Sequence, residues 1–72
     1  MNFNKEMLKF IVELTGNGHG TSPDQVFSKH GNTPTTHKEL NVLERMGFIK
    51  VVWGSGSIFD ILVQQKARDY FK

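Results

Sequence analysis

The chain has 72 residues, a net charge of +2 and no cysteine. A chain this short fits one domain, here residues 1–72, and it has little room for a catalytic pocket, so an enzyme is not expected. The lack of cysteine excludes disulfides and thiolate metal sites. No apolar run approaches the roughly 20 residues that span a bilayer, and no signal-peptide pattern is present, so a cytoplasmic protein without membrane contact is expected.

A first helix is predicted over about residues 5–15, since apolar residues recur there at helical spacing. Asn4 is its expected N-cap. The glycine-rich segment 16–20 ends this helix, because three glycines in five residues favour backbone shapes that a helix cannot use. Residues 16–21 can add one short extended piece.

Two further helices each begin with a capping residue followed by proline. Ser22 precedes Pro23 at the start of a helix predicted over 23–30. Thr33 precedes Pro34 at the start of a helix predicted over 34–46, which Gly47 ends. Within the latter helix, three side chains are expected to face the core: Thr36, Leu40 and Leu43.

The remaining sequence predicts a β-hairpin and a short helix. Residues 48–53 and 58–63 are rich in β-branched and aromatic residues, and the turn 54–57 reads Gly-Ser-Gly-Ser. Residues 64–71 form the last predicted helix. Trp53 is expected to pack over the hairpin, with an interface contact as the alternative.

Two short helices joined by the tight turn Gly31-Asn32 match a helix-turn-helix, and a hairpin directly after them matches a wing. The sequence therefore predicts an α+β, mostly α, winged-helix fold. Its expected parts are a three-helix core, a two-stranded wing over 48–63 and a short C-terminal helix.

The run Leu40-Asn41-Val42-Leu43-Glu44-Arg45-Met46-Gly47-Phe48-Ile49-Lys50 resembles the end of the recognition helix in bacterial winged-helix regulators. The tail from Gln64 to Phe71 is similar to the segment after their wing, although Ala67 stands where those proteins usually have glycine. The resemblance covers about residues 5–72. It fits repressors of the multiple-antibiotic-resistance type, arsenic-repressor-like proteins and small phage or plasmid regulators equally well. It implies sequence-specific binding to double-stranded DNA and a role in transcription regulation.

The residues expected to contact DNA lie mainly on the third helix. Asn41 can pair its amide with adenine, and Lys38 can donate to guanine in the major groove. Thr35 and His37 can reach bases or phosphates, and Thr33 with the free N–H groups of the first turn suits a phosphate. Such residues on an arbitrary helix would be an ordinary solvated face; the apparent helix-turn-helix favours DNA contact.

Three more residues complete the predicted set. Arg45 is a phosphate candidate, with solvent or a neighbour such as Glu44 as the alternative. Lys50 lies at the base of the wing and Ser55 at its tip, where no arginine is available to enter a minor groove. Four basic and two acidic residues lie in 29–50, so the middle of the chain is its basic part.

No metal site, cofactor or small-molecule substrate is expected, since the three histidines match no zinc spacing. A homodimer is expected, because one module presents few positive groups and pairing doubles the contacts. The first helix and the tail are the candidate dimer contact. Two alternatives remain open: a winged-helix module that binds protein and not DNA, and an RNA-binding winged helix.

Overall fold

The computed structural model describes residues 2–72, and about half of them are helical. Four helices and a small antiparallel sheet form an α+β fold, which confirms the predicted class. The elements in chain order are α1 (Lys5–Thr15), β1 (Gly20–Thr21), α2 (Pro23–His30), α3 (Pro34–Arg45), β2 (Ile49–Trp53), β3 (Ile58–Val63) and α4 (Gln65–Tyr70).

Each of the first three helices begins at the predicted cap. The Asn4 side chain accepts a hydrogen bond from the Met7 N–H at 2.9 Å. The Thr33 hydroxyl accepts from the Thr36 N–H at 3.3 Å, and the Ser22 hydroxyl accepts from the N–H two residues on. These side chains satisfy N–H groups that a helix leaves without an intrahelical partner, and this fixes where each helix starts.

The end of α3 follows from Gly47, whose φ of 84° is unfavourable for other residues. The Phe48 N–H donates to the Leu43 carbonyl and the Gly47 N–H donates to the Glu44 carbonyl, which is a Schellman motif. The helix was predicted to run to Met46; it ends at Arg45, and Met46 is the C-cap.

The sheet has three strands in the order β1-β3-β2, all antiparallel. The predicted two-stranded hairpin corresponds to β2 and β3. The third strand of the sheet is β1, which lies in the segment 16–21 where a short extended piece was expected. Gly20 makes this possible, because a Cβ at this position would lie 2.6 Å from the Ile61 carbonyl oxygen and 2.8 Å from a Leu62 methyl carbon. Only glycine lets β1 approach β3 this closely.

One core joins the helices to one face of the sheet. It contains α3 residues Leu40 and Leu43, as predicted, and Thr36 is buried beside them. The fully or almost fully buried apolar residues are Met7, Leu8, Ile11, Val26, Leu40, Leu43, Phe48, Ile49, Val51, Ile61, Val63 and Ala67. Because every helix and both long strands contribute, burial of this cluster fixes the orientation of α3.

Side chains of the last helix, α4, form hydrogen bonds at the C-terminal ends of α1 and α3. The Arg68 guanidinium donates to the carbonyls of Gly16 and Gly18, just after α1. Lys66 donates to the carbonyl of Met46, the C-cap of α3. α1 has no basic residue in its own last turn, so Arg68 supplies the positive charge that stabilises its C-terminal end.

Candidate nucleic-acid interface

The outer face of α3 carries four of the predicted residues, all solvent-exposed: Thr35, Lys38, Asn41 and Arg45. They lie away from the buried side of the helix, which contains Leu40 and Leu43. Lys38 and Arg45 are seven residues apart, so they lie two turns apart along nearly the same line of the helix. Asn41 lies between them, one turn from each. The structure therefore brings these polar side chains together on one open surface, which we call the α3 face.

The two carboxylates of α3 are engaged by other elements. Glu39 accepts a hydrogen bond from the Asn4 amide at the start of α1. Glu44 accepts from the backbone N–H of Val51 in β2, with a nitrogen–oxygen distance of 2.8 Å. Glu44, the alternative partner of Arg45, is directed toward β2. The carboxylates of Glu39 and Glu44 thus lie at the flanks of α3, and the charged residues on the α3 face are all basic.

Thr33 and His37 differ from the rest of the predicted set because each already has partners. The Thr33 hydroxyl caps α3. His37 is half-buried, with its ring centroid 5.1 Å from that of Phe27 and its Nε2 atom 2.7 Å from Oδ1 of Asn32. These contacts direct the His37 ring toward the turn between α2 and α3.

The hairpin contributes Lys50 and Ser55, both exposed, but they lie at opposite ends of it. Lys50 is near the start of β2, where its side chain points away from the buried face. Ser55 is in the turn, which the Gly54 N–H closes by donating to the Ser57 carbonyl at 2.8 Å. Trp53, expected to pack over the hairpin, is 57% exposed.

Several basic side chains outside the α3 face have structural partners that the sequence did not reveal. Lys66 and Arg68 cap helix ends, as described above. The Lys29 ammonium lies 4.3 Å from the centre of the Phe10 ring, and such a contact holds a cation by the ring quadrupole. These contacts position the three cations without neutralising their charge, whereas Lys38 and Arg45 are exposed on the α3 face.

A shallow groove of about 420 Å³ borders the α3 face. Its walls are the N-terminal segment, residues 2–4, and the side of α3 formed by Lys38, Glu39 and Val42. The groove is open to solvent and mostly apolar, and it contains no nucleophile paired with a base. No sequence pattern predicts this groove, because it depends on how the N-terminal segment folds over α3.

Within residues 2–72, no three histidine, aspartate or glutamate side chains cluster as metal ligands would. None of the helices in this part of the chain has the length and apolarity to cross a membrane. Comparisons of the chain with family models, with curated proteins and with solved structures gave no match.

Proposed function

We propose that this chain is a winged-helix protein that binds double-stranded DNA in a sequence-specific way and acts as a transcription regulator. In this proposal α3 lies in the major groove, and the β2–β3 hairpin is the wing. The observation that carries the proposal is the α3 face: Lys38, Asn41 and Arg45 are exposed together while both carboxylates of the helix are bound elsewhere.

The dimensions of α3 suit this role. Its 12 residues give a length of about 18 Å at 1.5 Å per residue. The major groove of B-DNA is about 12 Å wide and admits one helix. Asn41 can form paired hydrogen bonds with adenine, whereas Lys38 can contact guanine or a phosphate. Arg45 and Lys50 supply further phosphate contacts.

The proposal includes a second copy of the chain. The α3 face and the hairpin base together present three basic residues, Lys38, Arg45 and Lys50. Affinity for DNA rises with the number of phosphates neutralised, so three contacts bind weakly at physiological salt. A homodimer on two half-sites doubles the number of phosphate contacts. It also raises affinity because binding of the first subunit holds the second close to its half-site.

One observation favours the alternative of a protein-binding module. The hairpin tip is uncharged and carries exposed aromatic side chains, whereas a wing that enters a minor groove usually offers arginine. Salt dependence separates the two functions, because counterion release makes DNA binding fall steeply as salt rises.

The test is fluorescence anisotropy with random-sequence and selected duplexes, the latter obtained from a random duplex pool. Lys38→Ala is expected to weaken binding and to lower the slope of log affinity against log salt by about 0.9 if Lys38 contacts a phosphate. Asn41→Ala is expected to cost about 1–3 kcal/mol on the selected duplex and to relax selectivity at one base pair.

Lys9→Ala is the matched control, because it removes the same charge from an exposed position on α1. It should leave the salt slope unchanged. If the wild-type chain binds no duplex at low salt, or if Lys9→Ala weakens binding as much as Lys38→Ala, DNA recognition by the α3 face is refuted.

A further inference from the structure

The N-terminal segment, residues 2–4, is fixed to the rest of the fold by its two inner residues. The Phe3 ring packs against the rings of Phe48 and Tyr70, with centroid distances of 4.9 and 5.6 Å. The Asn4 amide oxygen caps α1, and its amide nitrogen donates to a carboxylate on the side of α3. The segment therefore holds one position relative to α3, and a ligand that contacts it does not have to order it first.

Asn2, the outermost residue of this segment, lies on one wall of the shallow groove beside the α3 face. Lys38 lies on the opposite wall, which is formed by α3. Of the described residues that line the groove, Asn2 and Lys38 are exposed and the others are half-buried. The half-buried lining includes two apolar side chains, Phe3 and Val42. The groove thus has an apolar interior and one exposed hydrogen-bond donor on each wall.

The charges of the groove place its cation outward and its anion inward. Glu39 lines the groove as well, but it is half-buried and its carboxylate accepts from the Asn4 amide. Lys5, which follows the segment, is directed elsewhere, because its ammonium lies 5.6 Å from the centre of the Tyr70 ring. A ligand at the mouth of the groove therefore meets the Lys38 ammonium before it meets the carboxylate.

The dimensions of DNA determine what lies at this mouth when α3 occupies the major groove. An α-helix with its side chains is about 10–12 Å across, and the major groove is about 12 Å wide. A helix in it therefore has a sugar–phosphate backbone along each flank. The flanks of α3 are marked by its two carboxylates, Glu39 and Glu44, which are five residues and about 140° apart around the helix. Glu44 is bound by β2 and Glu39 by the N-terminal segment, so the hairpin lies beside one backbone and the segment beside the other.

A sugar–phosphate backbone has the chemistry that this groove accommodates. Phosphate oxygens accept hydrogen bonds from side-chain amides and ammonium groups, and Asn2 and Lys38 offer one of each. The carbon–hydrogen face of a deoxyribose can pack on Phe3 and Val42. A contact of this kind involves no base edge, so it adds affinity on every sequence and fixes the position of α3 in the groove.

We propose that the N-terminal segment is a second DNA-contacting element, and that the backbone of one strand lies along the groove between this segment and α3. Asn2 and Lys38 donate to its phosphates from the two walls. This inference rests on the proposed function, because it takes α3 to lie in the major groove. It adds Asn2 to the DNA-binding residues and assigns Lys38 to phosphate contact.

Substitution of Asn2 tests the contact without disturbing the fold, because the residue is exposed and lies outside the helices and strands. Asn2→Lys adds a cation beside the phosphates. It should tighten binding to a random-sequence duplex by about fivefold at low salt and make the slope of log affinity against log salt steeper by about 0.9. Asn2→Ala should weaken binding by about two- to tenfold and leave the slope unchanged, because asparagine carries no charge.

The matched controls are Asn17→Lys and Asn17→Ala. Asn17 is also an exposed asparagine, but it follows the other end of α1. The 11 residues of α1 separate it from the N-terminal segment by about 16 Å. Both control variants should keep the wild-type salt slope and bind the duplex within about twofold of the wild-type affinity.

A second measurement locates the segment on the duplex, because the chain has no cysteine of its own. An iron chelate attached to the thiol of Asn2→Cys should cleave the backbone of the bound duplex, whereas the same chelate on Asn17→Cys should not. Equal salt slopes for Asn2→Lys and Asn17→Lys, or equal cleavage from the two thiols, would overturn the proposal. If Lys38→Ala still lowers the slope in that case, DNA binding by the α3 face stands without this contact. If the wild-type chain binds no duplex, both proposals fall.

Discussion

Removal of the Glu44 side chain tests how α3 is joined to the sheet. Glu44 is half-buried, and its carboxylate accepts the Val51 N–H at 2.8 Å. Val51 is 7% exposed with the Glu44 side chain in place, and the hydrogen bond between them is part-buried. In Glu44→Ala the Val51 N–H loses this acceptor, whereas in Glu44→Gln the side-chain carbonyl can still accept from it.

The expected cost of Glu44→Ala is about 1–2 kcal/mol, the lower part of the range for leaving a buried donor unsatisfied, because the site is only partly buried. For a domain of this size, 1 kcal/mol shifts the melting temperature by about 4–8 °C. Glu44→Ala should therefore melt roughly 4–16 °C below the wild type. Glu44→Gln loses only the added strength of a charged acceptor. Its free energy of unfolding should therefore lie within about 1 kcal/mol of the wild-type value.

Thermal unfolding followed by far-UV circular dichroism measures both variants. Glu13→Ala is the control, because it makes the same substitution at an exposed position of α1. If Glu44→Ala melts within 2 °C of the control, or if Glu44→Gln is as unstable as Glu44→Ala, the hydrogen bond to Val51 does not hold α3 to the sheet as argued.

Three further substitutions test contacts elsewhere in the fold. Gly20→Ala should lower the free energy of unfolding, measured with urea, by more than about 2 kcal/mol, because the new methyl group meets the backbone of β3. Gly18→Ala is the control and should cost less, because the atom nearest to its new methyl group is a carbonyl oxygen at 3.2 Å. Arg68→Ala should speed hydrogen exchange of the amides in 16–20 by about tenfold or more, because two charge-assisted bonds are lost, and Arg68→Lys should restore part of this protection. His30→Phe should raise the melting temperature, since the buried His30 Nε2 atom has no hydrogen-bond partner within residues 2–72 and an apolar ring removes that cost of about 1 kcal/mol. An unchanged or lower melting temperature would contradict this reasoning.

The features that the sequence predicted are those that local chemistry determines. A Ser or Thr followed by proline fixed the start of α2 and α3 within one residue, because the cap and the ring act on the same turn. Helical periodicity likewise assigned Leu40 and Leu43 to the core and the neighbouring polar residues to the surface. The exposure of Thr35, Lys38, Asn41 and Arg45 on one helix face was predictable from spacing. The contacts that engage Thr33 and His37 were not.

Contacts between distant parts of the chain were not predictable. Asn4 and Glu39 are 35 residues apart and Arg68 and Gly16 are 52 apart, and no periodic pattern links such positions. The exposure of Phe59 shows the same limit. Strand alternation places it on the same side as Ile61, which is buried. The register between β2 and β3 shifts at this point, because Val52 pairs with Asp60 and Trp53 with Ile58, which leaves Phe59 without a partner across the strands. Alternation alone does not predict such an irregularity.

The polar contacts that position α3 all leave its outer face untouched. At the N-terminal end of the helix, the buried Thr36 hydroxyl donates to the carbonyl of His30 in α2 at 3.1 Å. In its middle and final turns, Glu39 and Glu44 accept from the segment before α1 and from β2, and the C-cap carbonyl accepts from Lys66 in α4.

Four parts of the chain, namely α2, the segment before α1, β2 and α4, thus form hydrogen bonds with the flanks and ends of α3. This arrangement uses the acidic groups of α3 as structural acceptors and leaves its basic and amide groups facing solvent. The residues that orient α3 are therefore separate from those proposed to recognise DNA, so substitutions on the α3 face are expected to change DNA binding without changing how the helix is held.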